Sequence, residues 1–193
     1  MGYAYTGGMV TQTRMTLEEF LALPETKPYR EFVRGEVIPK AMPNTKHSTI
    51  VSELIFALKR YQREKRSVRV DTELRHLSRD EDRVYLPDVS LTRRERLPAG
   101  GVGDRVEVAP DFAIEVLSPG DRAGDVLEKV DFYMRIGVGL AWLVDPEGQH
   151  VTVYRPGEAP EVVRAPATLD ASPVAEGLTV SLEELFAALP EDE

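Results

Sequence analysis

The chain has 193 residues, a size that suits one domain with a proper core and leaves little for a second. Apolar content of 42% and charged content of 30% are those of an ordinary globular protein, and no apolar run approaches the roughly 18 residues of a membrane span. Cysteine is absent, which excludes disulfides, thiolate metal sites and cysteine nucleophiles. Residues 1–8 carry neither the basic nor the apolar section of a secretory signal, so a cytoplasmic protein is the expectation. The net charge of −9 counts against a nucleic-acid partner, but its distribution counts the other way. Residues 1–96 carry 18 Lys+Arg against 14 Asp+Glu, and residues 97–193 carry 6 against 19. Basic residues cluster at Lys59, Arg60, Arg63, Lys65, Arg66 and Arg69, and again at Arg93, Arg94 and Arg96. Such clusters suit a phosphate backbone, or simply a solvated helix face.

Residues 1–13 read as a flexible arm. Thr16 and Glu19 then form a capping box that opens a short helix, and Ser181 to Glu184 repeats the signature near the C-terminus. Residues 31–38 read as a hairpin turning at Arg34-Gly35. Over residues 45–63, Val51, Leu54, Ile55, Leu58 and Tyr61 recur at helical spacing. Residues 68–74 alternate as one half-buried strand, and residues 84–91 form another, interrupted by Pro87. Proline cannot donate to a ladder, so Asp88 belongs at a strand end, edge or bulge. After a polar loop around residues 98–101, residues 111–117 are apolar on both faces, the pattern of a central strand. A helix over residues 123–136 ends at Gly137, residues 140–144 and 151–154 pair as strands, and residues 156–176 read as mostly loop. The expected fold class is mixed α/β, in one domain over residues 1–193.

Three residues stand out against this frame. Asp88 follows a proline, Glu115 is the one charge inside Phe112-Ala113-Ile114-Glu115-Val116-Leu117, and Lys129 lies on the helix that follows. A carboxylate in such an apolar run costs several kcal/mol unless something compensates it, and a bound divalent cation is one compensator. If the two strands are neighbours, Asp88 and Glu115 would bind one Mg²⁺ or Mn²⁺, with the Val116 carbonyl as a third oxygen. That assembly suits phosphodiester hydrolysis, with the Lys129 ammonium steadying the charge that develops on phosphate. Each residue has a plainer reading: Asp88 as a turn former, Glu115 as the partner of a buried arginine, Lys129 as the i+4 ion-pair partner of Asp125. Glu31, Glu36 and Glu73 are further acids that would join the site, and His47 at the start of the long helix would reach phosphate or simply pack there. His76 and His150 are isolated, and no glycine-rich phosphate loop or serine–histidine arrangement is present.

Glu31-Phe-Val-Arg-Gly-Glu36, His47, Pro87-Asp88 and Ile114-Glu115-Val116-Leu117-Ser118-Pro119 together resemble the Uma-type family of restriction endonucleases. Asp125, Lys129, Tyr133, Gly137-Val138 and Trp142-Leu143-Val144-Asp145-Pro146 continue the pattern in order, so that it covers residues 16–189. The resemblance extends to the PD-(D/E)XK nuclease superfamily and implies a restriction-endonuclease-like core, a mixed β-sheet flanked by helices. It implies Asp88 and Glu115 as the two acids, Lys129 as the lysine and Glu31 or Glu36 as a supporting acid. The superfamily's lysine usually stands two residues after the second acid, where this chain has Leu117. Arg34 and Leu140-Ala141 also depart from the family's usual residues. The function implied is a metal-dependent endonuclease acting on DNA, and cutting both strands would favour a homo-oligomer. The alternative is an inactive nucleic-acid-binding or assembly module on the same scaffold.

Overall fold

The structure, a computed structural model, describes residues 14–99, 103 and 105–190, so the arm expected over residues 1–13 lies outside the described residues. Helix α1 (Leu17–Leu21) begins at the capping box, where Thr16 accepts from the Glu19 N–H and Glu19 accepts from the Thr16 N–H. Strands β1 (Arg30–Val33) and β2 (Glu36–Pro39) form the hairpin. Its two turn residues, Arg34 and Gly35, both take positive φ (48° and 95°), which matches the twist of the flanking strands. Helix α2 (Thr45–Lys65) is capped by Asn44, which accepts from the His47 N–H, and it buries Ile50, Leu54, Leu58 and Tyr61.

The expected strand over residues 68–74 is two strands. β3 (Val68–Thr72) ends at Glu73, whose φ of +47° reverses the backbone, and β4 (Arg75–Ser78) starts in a different sheet. The expected strand over residues 84–91 also divides, into β5 (Arg83–Tyr85) and β6 (Val89–Arg93), again in different sheets. Pro87 has no N–H, and the Leu86 N–H is taken by the Glu31 carboxylate at 2.8 Å instead of by a strand. Asp88 therefore sits at the entrance to β6. A 3₁₀ turn (Arg94–Arg96), β7 (Arg105–Val106), β8 (Phe112–Val116) and helix α3 (Ala123–Arg135) follow, with Gly137 at φ +87° beyond the helix end. Then come β9 (Leu140–Asp145), β10 (His150–Tyr154), β11 (Glu161–Arg164), β12 (Thr168–Asp170), β13 (Thr179–Ser181) and α4 (Leu182–Ala187). The stretch 156–176, expected to be mostly loop, thus contributes β11 and β12. β11 escapes a periodicity reading because it is an edge strand with almost no buried side chain.

A six-stranded mixed sheet runs β11-β10-β9-β8-β6-β3, and a five-stranded one runs β2-β1-β5-β4-β7. The β8–β9 pair is parallel, joined by α3 as the crossover; the other pairs of the larger sheet are antiparallel. The period of two sorts the side chains. Phe112, Ile114 and Val116 of β8, Val89 and Leu91 of β6, and Leu140, Trp142 and Val144 of β9 form a core with the buried face of α2. Ala113 and Ala141 face the other way, with Phe132 and Tyr133 of α3 and Tyr85. Glu115 has the parity of Ala113, and Asp88 that of Ser90 and Thr92. Both carboxylates therefore turn from the α2 core toward the α3 side. A third cluster joins Phe20 of α1 to Phe32, Leu77, Val84 and Leu86. Among the described residues, no helix is long and apolar enough to cross a membrane.

Candidate active site

Asp88 and Glu115 occupy neighbouring strand ends, since β6 pairs with β8 through Val89 opposite Ile114. The Val116 N–H, beyond the reach of the β6 ladder, donates to Asp88 Oδ2 at 2.8 Å. Lys40, just after β2, places its ammonium 2.7 Å from Asp88 Oδ1. His47, in the first turn of α2, brings Nε2 to 3.3 Å from Asp88 Oδ2, while its Nδ1 is buried without a partner. The Glu115 carboxylate accepts from the Tyr133 hydroxyl and lies 3.0 Å from the Lys129 ammonium. Lys129 also reaches Glu31 Oε1 at 2.7 Å, so it bridges two buried carboxylates. Its partners are these two acids and not Asp125, and the buried partner of Glu115 is a lysine and not an arginine. Arg83 pairs instead with Glu128 at 2.8 Å and stacks over the Phe132 ring, fixing α3 beside the site.

The expected residues are not all brought together. Asp88, Glu115, Val116, Lys129 and Glu31 line one cavity of about 460 Å³, together with Lys40, His47 and Glu73. Glu36 does not join them. It lies opposite Val33 at the turn end of the hairpin and is exposed, whereas Glu31 lies opposite Ile38, two residues (about 7 Å) along the strand. The basic residues Lys59 to Arg69 lie at the other end of α2, so Arg63 stands about 24 Å along the helix from His47. Arg93, Arg94 and Arg96 join that end, because β6 runs away from Asp88. Part of this cluster is already engaged. Lys59 donates to the Val70 carbonyl, Arg69 pairs with Asp71 at 2.7 Å, and Arg93 and Arg96 hold Asp111 at 2.9 and 2.7 Å. Among the described residues, Arg60, Arg63, Lys65 and Arg66 make no ion pair.

The electrostatics divide the acids. Burial alone would raise the Asp88 carboxyl, but Lys40, His47 and Lys129 overturn that and hold it well below the usual carboxylate range. Burial likewise works against Glu31, and Lys129, Lys40 and the Leu86 N–H outweigh it to leave the group lowered. Glu115 goes the other way. Burial, reinforced by the charges of Asp88 and Glu31, lifts it to about 7 against the pull of Lys129 and Lys40. Burial would lower Lys129, but Glu115 and Glu31 keep its pKa raised, so it stays protonated. Three buried carboxylates thus share two buried ammonium groups, and Glu115 bears the deficit.

That deficit, beside the oxygen donors of Asp88, Glu115 and Val116, fits a hard divalent cation. Among the described residues, no group of three or more Asp, Glu or His side chains could hold a metal by itself. Mg²⁺ suits such a site, because it is commonly held by one or two carboxylates and completes its shell with water and substrate phosphates. Lys40 was not foreseen from sequence. It follows a hairpin outside any periodic pattern, and only the fold carries it to Asp88.

A family model described as "Uma2: Putative restriction endonuclease" matches residues 17–183. Among solved structures, a crystal structure from Anabaena variabilis ATCC 29413, described as a putative nuclease belonging to DUF820, is 36% identical to this chain, with a TM-score of 0.84. The match covers 91% of this chain and 99% of that one. A cryo-EM structure of a DrdV–DNA complex is 16% identical at a TM-score of 0.38, over 76% of this chain and 13% of that one, a likeness too low to carry an argument. No curated protein matches the sequence. The helix-flanked mixed sheets and the first of these likenesses agree with a restriction-endonuclease-like fold.

Proposed function

The chain belongs to the Uma2 family, and from that premise together with the buried carboxylates bridged by Lys129 we propose that it is a divalent-metal-dependent endonuclease acting on DNA. One observation carries the proposal above the rest. Strand parity and the α3 crossover bring Asp88, Glu115 and Lys129 to one cavity, with more buried negative charge than the protein itself neutralises.

Asp88 and Glu115, with the Val116 carbonyl, would hold Mg²⁺ or Mn²⁺. Such a cation supplies Lewis-acid polarisation of the scissile phosphate and activation of water at neutral pH. Lys129, permanently protonated, is no base; it offers fixed positive charge to the phosphate oxygens as their charge grows. Glu31 is the second anchor of that ammonium, at 2.7 Å, and is a positioning residue. The Tyr133 hydroxyl, pushed well above its ordinary value by burial and Glu115, remains a donor and orients the Glu115 carboxylate. A duplex lying along α2 would meet the unpaired arginines about 24 Å from His47, a span of about seven base pairs.

The test is cleavage of supercoiled, linear and single-stranded DNA with Mg²⁺ or Mn²⁺, run beside Asp88→Asn. Nicking by the wild type that vanishes in the variant supports the proposal. The rival, an inactive binding module, is favoured by one observation, the engagement of both Asp88 oxygens by Lys40, His47 and the Val116 N–H. It predicts DNA binding without metal-dependent cleavage, and that outcome would displace the endonuclease reading.

A further inference from the structure

Lys40 competes directly for the position that the proposed metal site needs. Its ammonium lies 2.7 Å from Asp88 Oδ1 and also donates to the Leu86 carbonyl at 2.9 Å. A divalent cation on Asp88 and an ammonium on the same oxygen would repel each other across a few ångströms, in a cavity that screens charge poorly. One of them must yield. An alternative partner stands beside the ammonium: Glu73 Oε1 is 3.8 Å away, and its side chain is 41% exposed while that of Asp88 is 5% exposed.

The backbone is arranged for a side-chain move with fixed ends. The Lys40 N–H is pinned to the Tyr29 carbonyl at 2.8 Å, and the Glu73 N–H to the Pro87 carbonyl at 3.1 Å, one residue before Asp88. Glu73 is also the left-handed residue at which the chain leaves one sheet for the other. Donor, first acceptor and second acceptor are therefore held together by three separate segments, and only the long, flexible lysine stem has to swing.

We propose that Lys40 is a resident cation of the site, occupying Asp88 until a divalent ion displaces it onto Glu73. The inference rests on the metal-site reading above, and goes beyond it by making metal affinity depend on a lysine and a glutamate that are not ligands. Lys40 sets that affinity by competition, and Glu73 lowers the cost of the displacement by receiving the ammonium.

The experiment is calorimetric titration of the full chain with Mn²⁺, without DNA, for the wild type, Lys40→Met, Glu73→Gln and the double variant. Lys40→Met should bind Mn²⁺ at least about tenfold more tightly, the factor that corresponds to about 1.4 kcal/mol. Glu73→Gln should weaken binding severalfold in the wild-type background and leave it nearly unchanged beside Lys40→Met, because no ammonium is then left to receive. Lys40→Gln, which keeps a donor for the Leu86 carbonyl, guards against a folding defect and should also bind more tightly. Equal or weaker binding by both Lys40 variants overturns the displacement. An equal loss from Glu73→Gln in both backgrounds overturns the receiving role, since Glu73 would then act only as a nearby charge. Absence of Mn²⁺ binding in every protein, with folding intact, removes the metal site and this inference with it.

Discussion

Replacing Glu115 with glutamine isolates the energetic consequence of the charge deficit. In the folded protein the Glu115 carboxyl is lifted from 4.5 to about 7, first by burial and then by Asp88 and Glu31. As pH rises through this window the unfolded chain gives up the proton and the folded chain retains it, so the native state binds more protons and stability falls with pH. A rise of that size corresponds to a cost on the order of 3 kcal/mol once the pH is above both values. Glutamine is nearly isosteric with the protonated acid and does not ionise. The variant should therefore match the wild type near pH 4.5 and be more stable by about 3 kcal/mol at pH 8, where metal-dependent activity would be lost. Urea unfolding of both proteins across pH 4.5–8 in the presence of a chelator measures the difference directly. A difference that does not change with pH, or that favours the wild type at pH 8, would refute the view that Glu115 is the unneutralised member of the cluster.

Two further outcomes follow from the same physics. Lys129→Met leaves Glu31 and Glu115 buried without their shared cation, and should cost about 3–5 kcal/mol at pH 8 and much less at pH 5, where the carboxyls can protonate; denaturant unfolding at the two pH values checks it. His76, held between the Val108 carbonyl and the Ser90 hydroxyl, is lowered from 6.5 to about 4 by burial. Its contribution to stability is thus complete above pH 6.5 and is lost as pH falls toward 4. An NMR titration should find its ring unprotonated at pH 5.5, and a midpoint near 6.5 would contradict its burial.

The sequence makes some of this legible and hides the rest for identifiable reasons. Glu115 is conspicuous because a lone charge in an apolar strand needs a partner, and parity then gives its face. Asp88 is conspicuous because Pro87 forces a strand end. Alternation, however, carries no information about which sheet a strand joins. Residues 68–74 keep a perfect period of two through Glu73, although the chain changes sheet there. Local spacing shows Lys129 as half of an i, i+4 pair with Asp125, the resemblance singles it out for the site, and the crossover geometry of α3 is what turns it inward. Lys40 meets Asp88 across 48 residues of sequence, and Glu73 is tied by its N–H to the Pro87 carbonyl beside Asp88, contacts that no local pattern records. Glu36 looked equivalent to Glu31, and hairpin register separates them.

The parallel connection from β8 through α3 has a consequence for how the chain can change length. Glu115 is the penultimate residue of the strand and Lys129 rides on the helix that follows, so the site depends on two kinds of register. Residues between Leu117 and Arg122 form a turn closed by the Asp121 carboxylate on the Ser118 N–H, and a loop of this kind absorbs an extra residue at small cost. Inside α3 each residue turns the helix by about 100°. One residue inserted between Ala123 and Glu128 would carry Glu128 to the place where the ammonium stands, reversing the charge between Glu31 and Glu115. Natural variation in length is therefore expected in the turn and excluded from the first two turns of the helix.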